Sequence, residues 1–146
     1  MNKFIWPLRI YYEDTDAGGV VYYANYLKFM ERARTEWLRH LNIEQPQLRQ
    51  QHHLIFVVRH VTIDYLKAAI FDDLLQIITT VTRLGKASLT MTQTIVRQDD
   101  LLCAATIKIA CVNLPDFRPQ PFPKDIFEKF KTIITTTIWP NYLFTN

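Results

Sequence analysis

The chain has 146 residues, 49% apolar and 21% charged, with a formal net charge of +3. That length suits one domain with a sizeable core, and that composition excludes both a disordered chain and a membrane-embedded one. The basic residues are scattered rather than massed, which argues against nucleic-acid binding. No stretch reaches the length of a membrane span, and carboxylates come too early for a secretory signal, so a cytoplasmic protein is expected.

Residues 3 to 13 include Phe4, Ile5, Trp6, Leu8, Ile10, Tyr11 and Tyr12, a strand composition. They run into YYEDTDAGGVVYYANY, residues 11 to 26, which sets Glu13, Asp14 and Asp16 beside Gly18 and Gly19. From Asn25 to Leu41, Tyr26, Leu27, Met30, Ala33, Trp37, Leu38 and Leu41 recur at helical spacing with no Gly or Pro between them, predicting the longest helix. Its other face, with Lys28, Glu31, Arg32, Arg34, Glu36 and Arg39, reads as solvated, Lys28–Glu31 and Arg32–Glu36 being spaced to pair. A polar linker with Pro46 and a glutamine-rich patch follows.

LIFVVRHVTIDYL then turns to period two, opposing Val61, Ile63 and Tyr65 to His60, Thr62 and Asp64, which predicts a strand. Asp72-Asp73 punctuates. LLQIITTVTRL and SLTMTQTIV form a hairpin about GKA with Gly85 at the turn, and RQDD turns into LLCAATIKIACVN. Pro115, Pro119, Pro121 and Pro123 end that pattern, and residues 124 to 131 read as a short helix with Ile126, Phe127 and Phe130 on one side. One long helix with strands in hairpin order predicts an α+β domain, the helix lying across the concave face of a five-stranded antiparallel sheet.

Much familiar chemistry lacks its residues. Cys103 and Cys111 are eight apart in one strand, roughly 26 Å, too far to bridge, and there is no CxxC for a disulfide framework or zinc. Ser88 is the single serine and lies outside any GxSxG elbow; phosphate-binding glycine motifs are missing as well. His52-His53 reads as a pair of solvated loop histidines. DTDAGG resembles the start of a calcium loop, but its twelfth position is Asn25 rather than an acid. No metal and no cofactor is expected. What remains is Asp16, two flexible glycines and the start of a helix, whose free N–H groups can polarise a carbonyl. Such an arrangement can set a nucleophile or base beside an oxyanion hole; from spacing alone, Asp14 or Asp16 serves equally well as a turn-shaping or capping residue.

YYEDTDAGGVVYYANYLKFMERARTEWLR closely resembles the signature of the 4-hydroxybenzoyl-CoA thioesterase family, in its Tol-Pal-associated acyl-CoA thioesterase branch. FVVRHVTIDYLKAA, SLTMTQTIV and RPQPFPKDI extend the likeness over about residues 5 to 131. The resemblance implies a hotdog fold, a long helix wrapped by a five-stranded antiparallel sheet, forming homo-oligomers, dimers joined sheet edge to edge or tetramers. It implies hydrolysis of acyl-CoA to free acid and CoA without a cofactor. Asp16 matches the catalytic carboxylate, nucleophile or general base, and Tyr23 matches the position whose backbone N–H holds the oxyanion. Many members of the branch carry histidine there; the backbone donor survives that change and a histidine side-chain role does not. Gly18 and Gly19 permit the turn, and Tyr12 and Asn25 are candidates to orient substrate. Arg83, Lys86 and Ser88 of RLGKAS are candidates for the CoA nucleotide, against a reading as ordinary solvated turn residues.

Acyl carrier protein is a second candidate partner, with no nucleic acid and at most peripheral contact with the inner membrane. Two other classes stay open. A hotdog dehydratase or hydratase needs a catalytic histidine, and none of His40, His52, His53 or His60 follows the Gly-Gly turn. A non-catalytic acyl-CoA or acyl-carrier-protein binding module has no use for Asp16. The domain is expected over 1–131, with 132–146 as a C-terminal extension of it. In KTIITTTIWPNYLFTN the β-branched residues disfavour continuing the helix and Pro140 interrupts a strand. Ile133, Ile134, Ile138, Trp139, Tyr142, Leu143 and Phe144 then predict an extended appendage packed on its own or a neighbouring subunit.

Overall fold

In the computed structural model, which describes residues 2–135, strict alternation of burial sets the layers. Strands β3 (Leu74–Leu84), β4 (Ser88–Arg97) and β5 (Asp100–Asn113) form consecutive antiparallel hairpins. β1 (Lys3–Arg9) adds to β3 and β2 (Leu54–Tyr65) to β5, giving the order β1-β3-β4-β5-β2. Leu75, Ile77, Thr79 and Val81 of β3 and Leu89, Met91, Gln93 and Ile95 of β4 are buried on one face. Between them, positions such as Gln76, Thr80, Thr92 and Thr94 meet water, where β-branched threonine suits a half-wetted sheet.

Helix α1 (Asn25–His40) covers the apolar face through Tyr26, Phe29, Met30, Ala33, Trp37 and Leu38. Each large side chain fully buried in this way contributes about 1.5–3 kcal/mol. Phe29 joins the expected stripe, Leu27 sits on its exposed flank, and the helix ends at His40 with Leu41 as its cap. A helix laid in a five-stranded antiparallel sheet is the hotdog arrangement.

Four local expectations need correction. β1 stops at Arg9, and a single 3-10 turn occupies Tyr12–Asp14, because Asp14 Oδ2 accepts the Tyr11 N–H at 2.8 Å and bends the chain. The expected linker is helix α2 (Gln45–His52): Pro46 falls in the first turn, where a missing N–H costs nothing, and His53 at φ 52° ends it. The C-terminal helix α3 (Lys124–Thr135) runs past residue 131, since packing outweighs β-branched propensity. Ile133 is buried there, and Phe130 stacks on Trp37 with ring centroids 5.4 Å apart. The remaining appendage, with Ile138, Trp139, Tyr142, Leu143 and Phe144, lies outside the described residues.

Arg34 is the fourth correction. Placed on the solvated face by spacing, it is instead half-buried, its Nη1 donating to Gln93 Oε1 at 2.9 Å. Gln93 is fully buried, and its Nε2 donates to the Met30 carbonyl at 3.0 Å and to Thr79 Oγ1 at 2.9 Å. A buried amide left unbonded costs about 1–3 kcal/mol, so this network ties the middle of α1 to β3 and β4.

In β2 the register shifts between Val58 and His60, leaving Arg59 as a bulge. Tyr65, Ile63 and Val61 pair opposite Cys103, Ala105 and Ile107, while Val58 and Phe56 pair opposite Ile109 and Cys111. The bulge therefore keeps both halves of the strand's apolar side turned to α1.

Candidate active site

The segment before α1 is a tight hairpin at the Leu74 end of the sheet. Ile10 and the 72–73 backbone exchange two hydrogen bonds of 2.9 Å, which carries the chain off β1. Thr15 then bridges Val21, flanked by Asp16 N–H donating to the Val20 carbonyl (2.9 Å) and Tyr22 N–H donating to the Asp14 carbonyl (3.1 Å). Gly19, at φ +82°, makes the reversal that an L side chain resists.

Within the hairpin the two aspartates do different work. Asp14 is spent on structure: Oδ2 takes the Tyr11 N–H, and its carbonyl also takes Asn25 Nδ2 at 2.9 Å. Asn25 thereby fastens the start of α1 to the hairpin. Asp16 Oδ1 accepts the Gly18 N–H at 2.8 Å, while Oδ2 has no partner among the described residues, and the residue is exposed. A Cβ on Gly18 would stand 3.2 Å from that Oδ1, so the glycine leaves the carboxylate its room.

Tyr23 follows the hairpin. Among the described residues nothing accepts its backbone N–H. Its ring meets Tyr65 edge-on at 5.9 Å and Tyr22 at 4.9 Å, beside an open groove of about 250 Å³ that Tyr26, Leu66 and Lys67 also line. From Val20, which faces Asp16, to Tyr23 is three residues, roughly 10 Å of extended chain. Tyr12 stands on the other side, 74% exposed, its ring stacked on Phe71 at 3.7 Å.

Three of the phenols here hold their protons more tightly than usual. The neighbouring Tyr23 charge raises the pKa of Tyr22, and burial raises those of Tyr26 and Tyr65. Burial pushes the Cys103 and Cys111 thiols up to about 11. Asp16 keeps one carboxylate oxygen without a partner among the described residues.

Arg83, Lys86 and Ser88 stand elsewhere. They surround the β3–β4 turn, where Gly85 N–H donates to the Ser88 carbonyl at 2.7 Å. That turn is at the far end of β3 from the hairpin, roughly 33 Å away along the strand. One chain brings Asp16, Gly18, Gly19, Tyr23, Asn25 and Tyr12 together and holds these three apart from them.

Sequence reading missed the support beneath the hairpin. Val21 N–H donates to the Ala69 carbonyl at 2.9 Å, Ala69 N–H donates to Tyr26 Oη at 3.1 Å, and Val20 bridges Ile70. The loop carrying Ala69 is held by Arg97, whose Nη1 donates to the Ala68 carbonyl at 3.2 Å and to Asp73 Oδ2 at 2.7 Å. The Asp72-Asp73 pair was the available signal, legible only as punctuation.

An exposed carboxylate and an unpaired backbone N–H thus lie on one hairpin of a hotdog scaffold, just ahead of α1. A family model of the thioesterase superfamily matches residues 18–104, more than half of the chain, and the chain belongs to that family. The acyl-CoA thioesterase YbgC of Haemophilus influenzae is 49% identical to it over 129 residues, covering 88% of this chain and 95% of that one. The acyl-CoA thioester hydrolase YbgC of Escherichia coli O6:H1 is 46% identical over 129 residues, covering 88% and 96%. Among solved structures, a probable thioesterase from Bartonella henselae superposes with a TM-score of 0.80 at 37% identity, over 84% of this chain and all of that one.

Proposed function

We propose that the chain is an acyl-CoA thioesterase in which Asp16 attacks, or activates water against, a thioester carbonyl held by the Tyr23 N–H. The names of its two YbgC relatives support the activity. The observation that carries the assignment is the divided carboxylate of Asp16, one oxygen fixed by the Gly18 N–H and the other open. Fixing one oxygen orients the second at no further entropic cost during reaction.

In the nucleophilic route Oδ2 adds to the carbonyl carbon, the oxyanion forms against the Tyr23 N–H, and the C–S bond breaks to a mixed anhydride and CoA thiolate. The thiolate takes a proton from water, and hydrolysis of the anhydride returns the carboxylate. In the general-base route Oδ2 takes a proton from the attacking water and passes it to the departing sulfur. A single turnover in ¹⁸O-water that leaves label in Asp16 establishes the nucleophilic route, with water entering the anhydride at the Asp16 carbonyl. A dehydratase reading has less support, because His40, His52, His53 and His60 all lie off the hairpin, at the ends of α1 and α2 and on β2.

Asp16→Asn should lower acyl-CoA hydrolysis by about a hundredfold or more, the scale of losing a general base, with the fold intact. Near-normal turnover in a folded variant sinks the assignment. For Arg83, Lys86 and Ser88 to hold the CoA phosphates near Asp16, the turn must come from another copy, and we include a homo-oligomer in the proposal. Acyl carrier protein is retained as an alternative thioester donor. Cytoplasmic action with at most peripheral membrane contact completes the reading; no helix among the described residues is long and apolar enough to cross a membrane. Cell fractionation that recovers the protein with integral membrane proteins counts against that placement.

A further inference from the structure

A row of incompletely buried side chains runs from the groove at Tyr23 between α1 and β2. Its helix side carries Leu27, Glu31 and Arg34, which follow Tyr23 at the i+4 and i+3 steps that keep side chains on one face. Its sheet side carries Tyr65, Ile63, Val61 and, past the bulge, Val58. Leu27, Val58, Val61 and Tyr65 remain 36–46% exposed although the sheet residues among them are turned toward the helix. At the far end is a cavity of about 150 Å³ with Glu31, Arg34, Thr35 and Leu38 on one side and Phe56 and Val58 on the other. A cavity of that volume admits a benzene-sized group.

The charged groups at this end stand out beside the aliphatic and aromatic side chains of the row. Arg34 is half-buried and makes no ion pair among the described residues; one Nη1 bond to Gln93 fixes it, and the remaining guanidinium N–H donors lack described acceptors. Burial lowers its pKa, and the charge of Glu31 works in the opposite direction. Glu31 is itself held by Thr35 Oγ1 at 2.8 Å. A methyl terminus arriving here would desolvate Arg34 without serving it. A carboxylate would serve Arg34 and be repelled by Glu31. A hydroxyl accepts from one and donates to the other, and a keto oxygen accepts from Arg34 without added charge.

We propose that these side chains form a channel that receives the acyl chain and that Arg34 selects acyl groups bearing a neutral oxygen, hydroxyl or keto, at their distal end. The inference rests on the reading that the thioester sits between Asp16 and Tyr23. Arg34 lies nine residues into α1, roughly 14 Å along its axis, so the selected chain is an extended one; a butyryl group stops within the first turn.

Steady-state hydrolysis of butyryl-CoA, a long-chain acyl-CoA and its ω-hydroxy and ω-carboxy analogues tests this, with Arg34→Met, Glu31→Gln and Asp16→Asn beside wild type. Wild type should favour the ω-hydroxy over the plain long chain by about tenfold in kcat/KM, the value of one good hydrogen bond of ~1.4 kcal/mol. In Arg34→Met that ratio should collapse toward one, mainly through KM. Glu31→Gln should raise the ω-carboxy analogue relative to the ω-hydroxy one, which keeps the test alive if Arg34→Met folds poorly. A wild-type preference for the plain or the ω-carboxy chain overturns the proposal, as does an Arg34→Met that slows all long-chain substrates equally and keeps the ratio. Asp16→Asn should lose about a hundredfold or more on every substrate, butyryl-CoA included; if its turnover is near normal, the catalytic assignment has failed, whatever the chain preference.

Discussion

Asp14 and Asp16 stand two residues apart, and the backbone uses them in opposite ways. Asp14 gives its carboxylate and its carbonyl to the fold, while Asp16 gives one oxygen and keeps the other. The carboxylates before Gly18-Gly19 are plain in the sequence. Which of them shapes the turn is not, because that depends on which N–H groups point inward. At the other end of α1, His40 packs its ring 5.6 Å from that of Phe4, and burial lowers its pKa below the ordinary 6.5. The unfolded chain then binds this proton more readily than the folded one. The His40 contribution to stability should be complete above pH 6.5 and fall away as pH drops through the folded pKa. Melting temperature measured across that window checks it: His40→Gln should flatten the slope, and an unchanged slope removes His40 as its source.

At the scale of elements, the loop from Leu66 to Asp73 holds the hairpin that carries Asp16, and Arg97 holds the loop. Arg97 touches none of the reacting groups in the proposed mechanism, so it is a positioning residue. Arg97→Gln should lower kcat by about tenfold with little change in KM, since a displacement below 1 Å is already costly in alignment. Arg97→Lys, which keeps the charge but loses the forked contact, should recover only part of it. A lower melting temperature with kcat intact leaves Arg97 a purely structural role. The strands and α1 were legible because their periodicity is enforced by a one-sided core. The glutamine-rich α2 and the last turn of α3 were not: neither has a strong local preference, and Leu48 and Ile133 become helical by being buried. Arg34 was misread for a related reason, as a cation on the flank of a helix gives no sign of a buried glutamine waiting in β4.

Over the whole molecule, the two sheet edges are unequal. β1 is seven residues long and carries Pro7, whereas β2 presents twelve residues with no strand on its outer side among the described residues. A long unpaired edge invites pairing. Light scattering at micromolar concentration should find a dimer or tetramer, and a monomer there refutes the shared site. The resemblance in the sequence implies such an assembly, but the separation of Arg83, Lys86 and Ser88 from Asp16 needed the topology, since no local pattern says which end of a strand a hairpin occupies. The Arg59 bulge in β2 has a bearing on ancestry. Elsewhere in a strand, losing one residue exchanges inside for outside over everything beyond it. Here the pairs on either side, Val58 with Ile109 and His60 with Lys108, are already consecutive on β5. A chain lacking Arg59 alternates without interruption and keeps every partner, so lineages of this protein can differ in length by one residue at this point and still share the same fold.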